Sequence, residues 1–373
     1  MRLRVQWLWL CLLGWIGPCA AGTFMPAASL ADVRCDYPVV LLASGEVLAT
    51  GGTGITGMDF LAGAERYDPV ANSWRAASPM SSARAEHTAT LLRSHEVLIA
   101  GGAGVDWNPV AEAEKYDPDT DTWSSAGTLA NARTQATATL LPSGKVLLVG
   151  GLHNGAVASA EIYDPASNTW SSGGTLAQAR LWHTATLLRS GKVLVVGGSD
   201  TQETFSSSEL YDPETNSWSE AAPLLHARFK QTATLLPSGR LLVAGGGHDF
   251  LGEQLASTEL YDPASNTWSE AGTLTSPRYL HTATLLQSGQ VLVAGGEATP
   301  ALASAELYEP LTDTWSLTGS LAAGRFLHAA TRLDSGSVLV AGGLDGTTAL
   351  RSAEIYVPDR GDAIFADGFD VIR

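Results

Sequence analysis

Short apolar runs, separated by turns marked with glycine and proline, recur along the whole chain, and one unit shows the pattern. From Arg180 to Gly198 it reads RLWHTATLLRSGKVLVVGG, and from Ser207 to Trp218 it reads SSELYDPETNSW. The spacing predicts four strands. The first runs from His183 to Leu188, and Ser190-Gly191 turns it into the second, Lys192 to Val196. Gly197-Gly198 then ends the pairing and lets backbones approach closely. Glu209 to Tyr211 forms the third. Asp212-Pro213 with Asn216 makes the next turn, because proline presets φ and Asx side chains bond their own backbone, and a short fourth strand carries Trp218.

The unit occurs seven times. Gly-Gly pairs close an apolar run at Gly51, Gly101, Gly150, Gly197, Gly245, Gly295 and Gly342, at intervals of 47 to 50 residues. A Glu-x-Tyr follows each pair, ending at Tyr67, Tyr116, Tyr163, Tyr211, Tyr261, Tyr308 and Tyr356. Seven residues after the first six stand Trp74, Trp123, Trp170, Trp218, Trp268 and Trp315, and ten residues further on Arg84, Arg133, Arg180, Arg228, Arg278 and Arg325; Arg34 opens the first unit. One such meander cannot bury both faces, so the units must stack. Seven four-stranded sheets around an axis make an all-β, seven-bladed β-propeller. The repeated Tyr and Trp read as packing between blades. The repeated Arg and Glu fall at the same blade edge, which predicts a ring of Arg–carboxylate pairs, with anion binding by the arginines as the alternative.

The tandem Gly-Gly, Tyr-Asp-Pro and Trp landmarks resemble kelch repeats, and the HTATLL-x-SG-x-VLV-x-GG wording is similar to the kelch propeller of the galactose oxidase family. That resemblance implies a copper radical oxidase as one functional class. Its site needs an adjacent Tyr-His pair, a tyrosine crosslinked to cysteine, and a further histidine delivered by an additional domain. This chain has no Tyr-His dipeptide. The copper activity is therefore not expected to carry over, and no metal or other cofactor is expected.

The two ends bear on closure and destination. Ala363 stands where the seventh unit should have its Trp, while Phe24 stands ten residues before Arg34. Residues 23–27 are therefore expected to supply the last outer strand, with Ala363–Ala366 and Phe365 as the competing candidate. Arg2 and Arg4 precede an apolar stretch from Val5 to Ile16, followed by Gly17, Pro18 and the small residues 19–22, the layout of a secretory signal. The expected organisation is a signal peptide over 1–22, a propeller over 23–358 and a tail over 359–373. Export to the periplasm, cell surface or exterior follows, with no membrane insertion after cleavage. Removal of Cys11 and Cys19 would leave Cys35 without an internal disulfide partner.

Composition narrows the partners. With 45% apolar and 16% charged residues the chain has ample core material, and 39 glycines and 17 prolines suit frequent turns. A formal charge of −16 would repel polyanions, so nucleic acid and bare anionic membrane are not expected as partners. Letter matches to chemical motifs fail on context. Gly52-x-Gly54-x-x-Gly57 opens no helix to hold a pyrophosphate, and Asp117, Asp119 and Asp121 lack the glycine and distal Glu of a calcium loop.

Comparison between units locates the working face. The turns Ser-Gly and Asp-Pro-x-x-Asn, on one face, are nearly uniform. On the other, the loops after Gly-Gly diverge: Met58-Asp59-Phe60, Asp106-Trp107-Asn108, His153-Asn154, 202–205 and 248–251. The off-pattern aromatics Tyr37, Phe60, Trp107, Trp182, Phe205, Phe229, Phe250, Tyr279 and Phe326 all map there, which favours a binding surface. Three residues after each repeat arginine comes a ring of Tyr37, His87, Ala136, His183, Gln231, His281 and His328, expected around the channel mouth. Because Ala136 and Gln231 interrupt it, its histidines read as hydrogen-bonded and structural rather than metal-binding. One position earlier stand Asp36, Glu86, Gln135, Trp182, Lys230, Leu280 and Leu327. The candidate ligand-binding set is Asp36, Tyr37, Glu86, His87, Trp107, Gln135, Trp182, His183, Lys230, Gln231, Tyr279, His281 and His328. The expected function is an exported, monomeric binding or interaction module for a glycan or protein ligand. A propeller enzyme, a sugar isomerase or copper radical oxidase, is the alternative.

Overall fold

The computed structural model describes residues 22–54, 59–250 and 252–359. The expected signal segment up to Ala21, the loop residues Gly57, Met58 and Leu251, and the tail with Ala363 and Phe365 lie outside the described residues. Twenty-eight strands form seven four-stranded antiparallel sheets, and among the described residues the one helical element is a 3-10 turn at Val105–Trp107.

In blade 4 the strands are Thr184–Leu187, Val193–Val196, Ser208–Asp212 and Ser217–Ala221. Val193 pairs with Tyr211, and Tyr211 with Trp218. Burial follows composition outward from the axis. The innermost Thr-Ala-Thr-Leu is half-buried, the Val-Leu-Val-Val behind it is fully buried, and the outer strand is mostly exposed. Small side chains inside and branched ones outside suit a wedge that widens from the axis. The seven innermost strands touch in a closed cycle, with the first blade's Val39–Leu41 against the last blade's Ala329–Arg332.

Blade 7 takes its outer strand from the other end of the chain. Thr23–Ala27 pairs with Ala353–Val357, Phe24 opposite Tyr356, with ring centroids 5.0 Å apart. In the other six blades that position holds the repeat Trp, 5.0–5.2 Å from its Tyr. Each indole N–H also reaches back to a backbone carbonyl associated with the preceding blade, as Trp218 does to Gly173 O at 2.8 Å and Trp74 to Ala28 O at 2.9 Å. The tryptophans thus bridge blades as well as pack within them.

Behind the Gly-Gly turns lies a belt of buried ions. Every repeat arginine is at most 1% exposed, and each binds its repeat glutamate at 2.6–2.9 Å. Arg180 also donates to Gly197 O, Ser207 O and Ser207 Oγ. Glu209 in turn accepts the N–H groups of Ala177 and Gln178, on the segment arriving from blade 3. The terminal guanidinium nitrogens of the arginines are engaged with protein, and burial keeps the side chains from an anion in the channel. Gly197 shows why glycine is needed beside them. Its φ is +62°, and a Cβ there would lie 2.5 Å from Arg228 O.

Candidate binding face

The residue after each repeat arginine pairs with the residue after Gly-Gly, as Leu181 does with Ser199 and Phe229 with Gly247. These bridges lift the next residue of each blade into a second ring at the mouth of the axis. Asp36, Glu86, Gln135, Trp182, Lys230, Leu280 and Leu327 all have φ between +53° and +56°. Left-handed backbone costs a non-glycine residue on the order of 1 kcal/mol. Blade-to-blade hydrogen bonds hold it in place here: Glu86 N to Asp36 O, Gln135 N to Glu86 O, Lys230 N to Trp182 O, Leu280 N to Lys230 O, Leu327 N to Leu280 O and Asp36 N to Leu327 O, at 2.9–3.4 Å.

This geometry corrects the expected placement of the following ring. Tyr37, His87, His183, Gln231, His281 and His328 do not line the mouth; they are only 5–7% exposed. Each is tied to another blade. His87 Nε2 meets Thr50 Oγ1 at 3.0 Å, and His183, His281 and His328 meet Thr137, Thr232 and Thr282 at 2.9–3.0 Å. Gln231 donates to Val196 O and Tyr37 to Ala341 O. Burial, reinforced by the nearby arginines, pushes His87, His183 and His328 down to about 3 and His281 well below its ordinary value, so all four are neutral. The physical reason is strand geometry: when one residue is turned to the axis, the next is turned between the blades.

The mouth itself is polar on one side and aromatic on the other. Glu86 accepts from Thr134 Oγ1 at 2.5 Å and from Gln135 Nε2 at 2.7 Å. Burial, then the Glu86 charge, raises the Asp36 carboxyl to about 7, and Lys230 partly offsets this. Opposite, the Lys230 ammonium sits 4.5 Å from the Trp182 ring centroid and 5.6 Å from that of Tyr279. Burial lowers its pKa against the pull of Glu297, Asp36 and Glu86. Burial and a hydrogen bond to Glu297 raise the Tyr279 phenol.

Beside Lys230 opens a cleft of about 190 Å³, walled by Trp182, Phe229, Phe250 and Tyr279. Phe229 stacks on Phe250 at 5.3 Å and lies 5.5 Å from Trp182. Phe250 is 46% exposed, whereas Phe229 is buried. Gly247 makes room for it, since a Cβ there would lie 2.8 Å from the Phe229 ring. Trp107 does not join this cleft; it is 40% exposed and packs edge-on against Phe60. Larger hollows of about 800 and 690 Å³ lie at the uniform turns between blades 3 and 4 and between blades 7 and 1. They recur at equivalent positions and follow from the splay of the blades. Sequence reasoning left Phe229, Phe250 and Glu297 out of the candidate set; the third glycine of Gly245-Gly246-Gly247 is the signal that marks this blade.

A family model described as the Kelch motif matches residues 137–177, 187–225 and 231–275. Those matches fall on blades 3 to 5 of the closed ring. The chain is a seven-bladed β-propeller that carries Kelch motifs. The propeller is also similar to a solved fungal alcohol oxidase of the AA5 family in complex with copper, with a TM-score of 0.74 and 15% identity over 91% of this chain and 76% of that one. At that identity the likeness is one of fold. No curated protein matches the chain. The described residues of the propeller do not fit the oxidase's metal. No group of three or more His, Cys, Asp or Glu among them could hold an ion. Cys35, the one described cysteine, is buried against Thr53 Oγ1 at 3.1 Å with its thiol pushed up to about 11.

Proposed function

We propose that this kelch propeller is an exported binding module, and that its variable face captures a glycan in the cleft beside the channel mouth. The observation that carries the reading is the aromatic wall of Trp182, Phe229, Phe250 and Tyr279 around about 190 Å³, with the belt residue Lys230 and the loop residues Asp249, Glu253 and Gln254 completing the lining. Apolar walls with a few convergent polar groups are how small-ligand sites combine affinity with orientation. A flat sugar face suits such a wall, and its hydroxyl groups suit the polar lining. The cleft is smaller than the roughly 300 Å³ at which pockets for drug-sized ligands begin, which favours a single ring.

The test is a glycan array on the mature protein, followed by titration of the best binder. Trp182→Ala should weaken binding by at least about 1 kcal/mol with little change in melting temperature. Absence of any glycan binder, with a protein captured through Trp107 and Phe60 instead, would move the site to blades 1 and 2. A sugar isomerase would draw on Asp36, whose carboxyl near neutrality suits proton transfer. Exchange of sugar protons with solvent, followed by NMR and abolished by Asp36→Asn, would establish that activity.

A further inference from the structure

We propose that Trp182 and Tyr279 form a cation seat, which the free protein fills with its own Lys230 ammonium, and that a sugar ring reaches the Trp182 face only by displacing it; the second half rests on the glycan reading above. Lys230 is fixed at its backbone. Its φ is +54°, its N–H donates to Trp182 O at 2.9 Å, and its carbonyl accepts from Leu280 N at 3.4 Å. From there the side chain places Nζ 4.5 Å from the Trp182 ring centroid and 5.6 Å from that of Tyr279. The other lysines are held differently. Lys115, Lys145 and Lys192 each meet a carboxylate at 2.9–3.0 Å. Lys230 forms no ion pair among the described residues, and two ring faces take the place of the carboxylate. An aromatic face attracts a cation through its quadrupole, most strongly for Trp.

The seat and the stacking surface are the same place. Carbon atoms in contact lie about 3.5–4.0 Å apart, so a pyranose laid on the indole needs the layer in which Nζ sits. Phe229, 5.5 Å from the indole and tilted by 32°, already takes up part of its surroundings. Ammonium and sugar also ask for the same chemistry, because the C–H groups of a sugar face carry partial positive charge and suit the electron-rich face of Trp. Displacement does not strand the lysine's charge. Glu297, Asp36 and Glu86 all favour the ammonium form electrostatically, so the side chain has acidic neighbours to turn toward. Asp249 and Glu253 line the cleft as well, with Glu253 N donating to Asp249 at 3.0 Å. These carboxylates hold a cation in the region, and the two rings decide where it rests. Lys230 is itself one wall of the cleft of about 190 Å³, so its withdrawal also enlarges the space for a ring.

Two kinds of probe test this on the mature protein. Methylammonium, which restores the missing group, is followed by NMR through the Trp182 indole N–H signal, identified by its loss in Trp182→Ala, with sodium chloride at equal ionic strength as reference. It should shift that signal in Lys230→Ala and leave it in place in wild type. Methyl β-glucoside and methyl β-galactoside, neutral single rings, are then titrated. Whichever binds should bind Lys230→Ala at least about threefold more tightly than wild type, since one cation–π contact no longer has to be displaced. Lys230→Arg keeps a cation on the ring and should show no gain. Lys192→Ala, on the uniform face, should match wild type. A methylammonium response equal in wild type and Lys230→Ala, or absent from both, overturns the seat. So do Lys230 Cε protons that resonate with those of Lys115, Lys145 and Lys192 in free wild type, because both ring currents should move them upfield. Glycoside binding unchanged or weakened in Lys230→Ala overturns the displacement. Silence of both glycosides toward every variant, with methylammonium bound by Lys230→Ala, supports the seat and counts against the glycan reading, so the two failures are distinguishable.

Discussion

Replacing Arg180 by alanine removes the guanidinium from a site where Arg180 is fully buried and its partner Glu209 is 4% exposed. Four hydrogen bonds go with it, to Gly197 O, Ser207 O, Ser207 Oγ and Glu209 Oε1, at 2.7–3.1 Å. The two carbonyls and one carboxylate oxygen left behind lie where solvent does not reach them freely. Breaking a buried ion pair from one side costs about 3–5 kcal/mol, mostly as the penalty of the charge left without a partner. Glu209→Gln in the same background should return part of that loss. It removes the orphaned charge and still leaves an amide oxygen for one of the two N–H groups, those of Ala177 and Gln178, that now bind separate carboxylate oxygens. The two substitutions are therefore expected to be non-additive, the double variant being more stable than Arg180→Ala alone. Urea unfolding followed by tryptophan fluorescence measures the shift, and titration with the array ligand should show binding by the folded fraction unchanged. A loss below about 1 kcal/mol, or strict additivity, would refute the account of the Arg–Glu belt as the buried tie between blades.

Trp218→Ala removes a half-buried ring set 5.1 Å from Tyr211 together with the indole bond to Gly173 O, and should cost about 2–4 kcal/mol in the same unfolding assay. A loss under about 1 kcal/mol would show that the outer tryptophans do not tie blades together. Acid should also unfold the propeller. His87, His183 and His328 are held at about 3, against about 6.5 unfolded, and His281 is also depressed. Between those values the unfolded chain binds protons that the folded chain refuses, so stability falls as pH falls, by about 1.4 kcal/mol per unit for each histidine. Asp36 has the opposite sign. Raised to about 7, it holds its proton in the fold, and its contribution is lost as pH rises from about 4 through 7. One such group does not offset four, so the melting temperature should drop steeply below pH about 6; a flat profile down to pH about 4.5 would contradict the burial of the histidines.

The fold was legible because each landmark is registered many times. Gly-Gly, Tyr and Trp each report a local requirement, a left-handed turn or a blade-to-blade contact, and tandem repetition converts those into a ring. The mouth was harder to read by a single residue in each blade. Positive φ is normally advertised by glycine or asparagine, yet the belt positions hold Asp36, Glu86, Gln135, Trp182, Lys230, Leu280 and Leu327. Nothing in those residue types announces the turn toward the axis. The histidines behind them drew attention through their chemistry, although their role is to pair with threonines of neighbouring blades. Trp182, Lys230 and Tyr279 were legible as departures from the repeat. Phe229 and Phe250 joined the same cleft only through the space left at Gly247, a three-dimensional consequence of one absent Cβ.

The central claim is that ligand is held on the variable face, and hydrogen–deuterium exchange of the mature protein with and without the array ligand tests it most directly. The account predicts slowed exchange in peptides covering 180–184, 228–232, 246–255 and 278–282, with no change across the uniform turns at 189–192 and 212–217. Protection confined to those opposite turns, or to the blade 1 and 2 loops around Phe60 and Trp107, would contradict it.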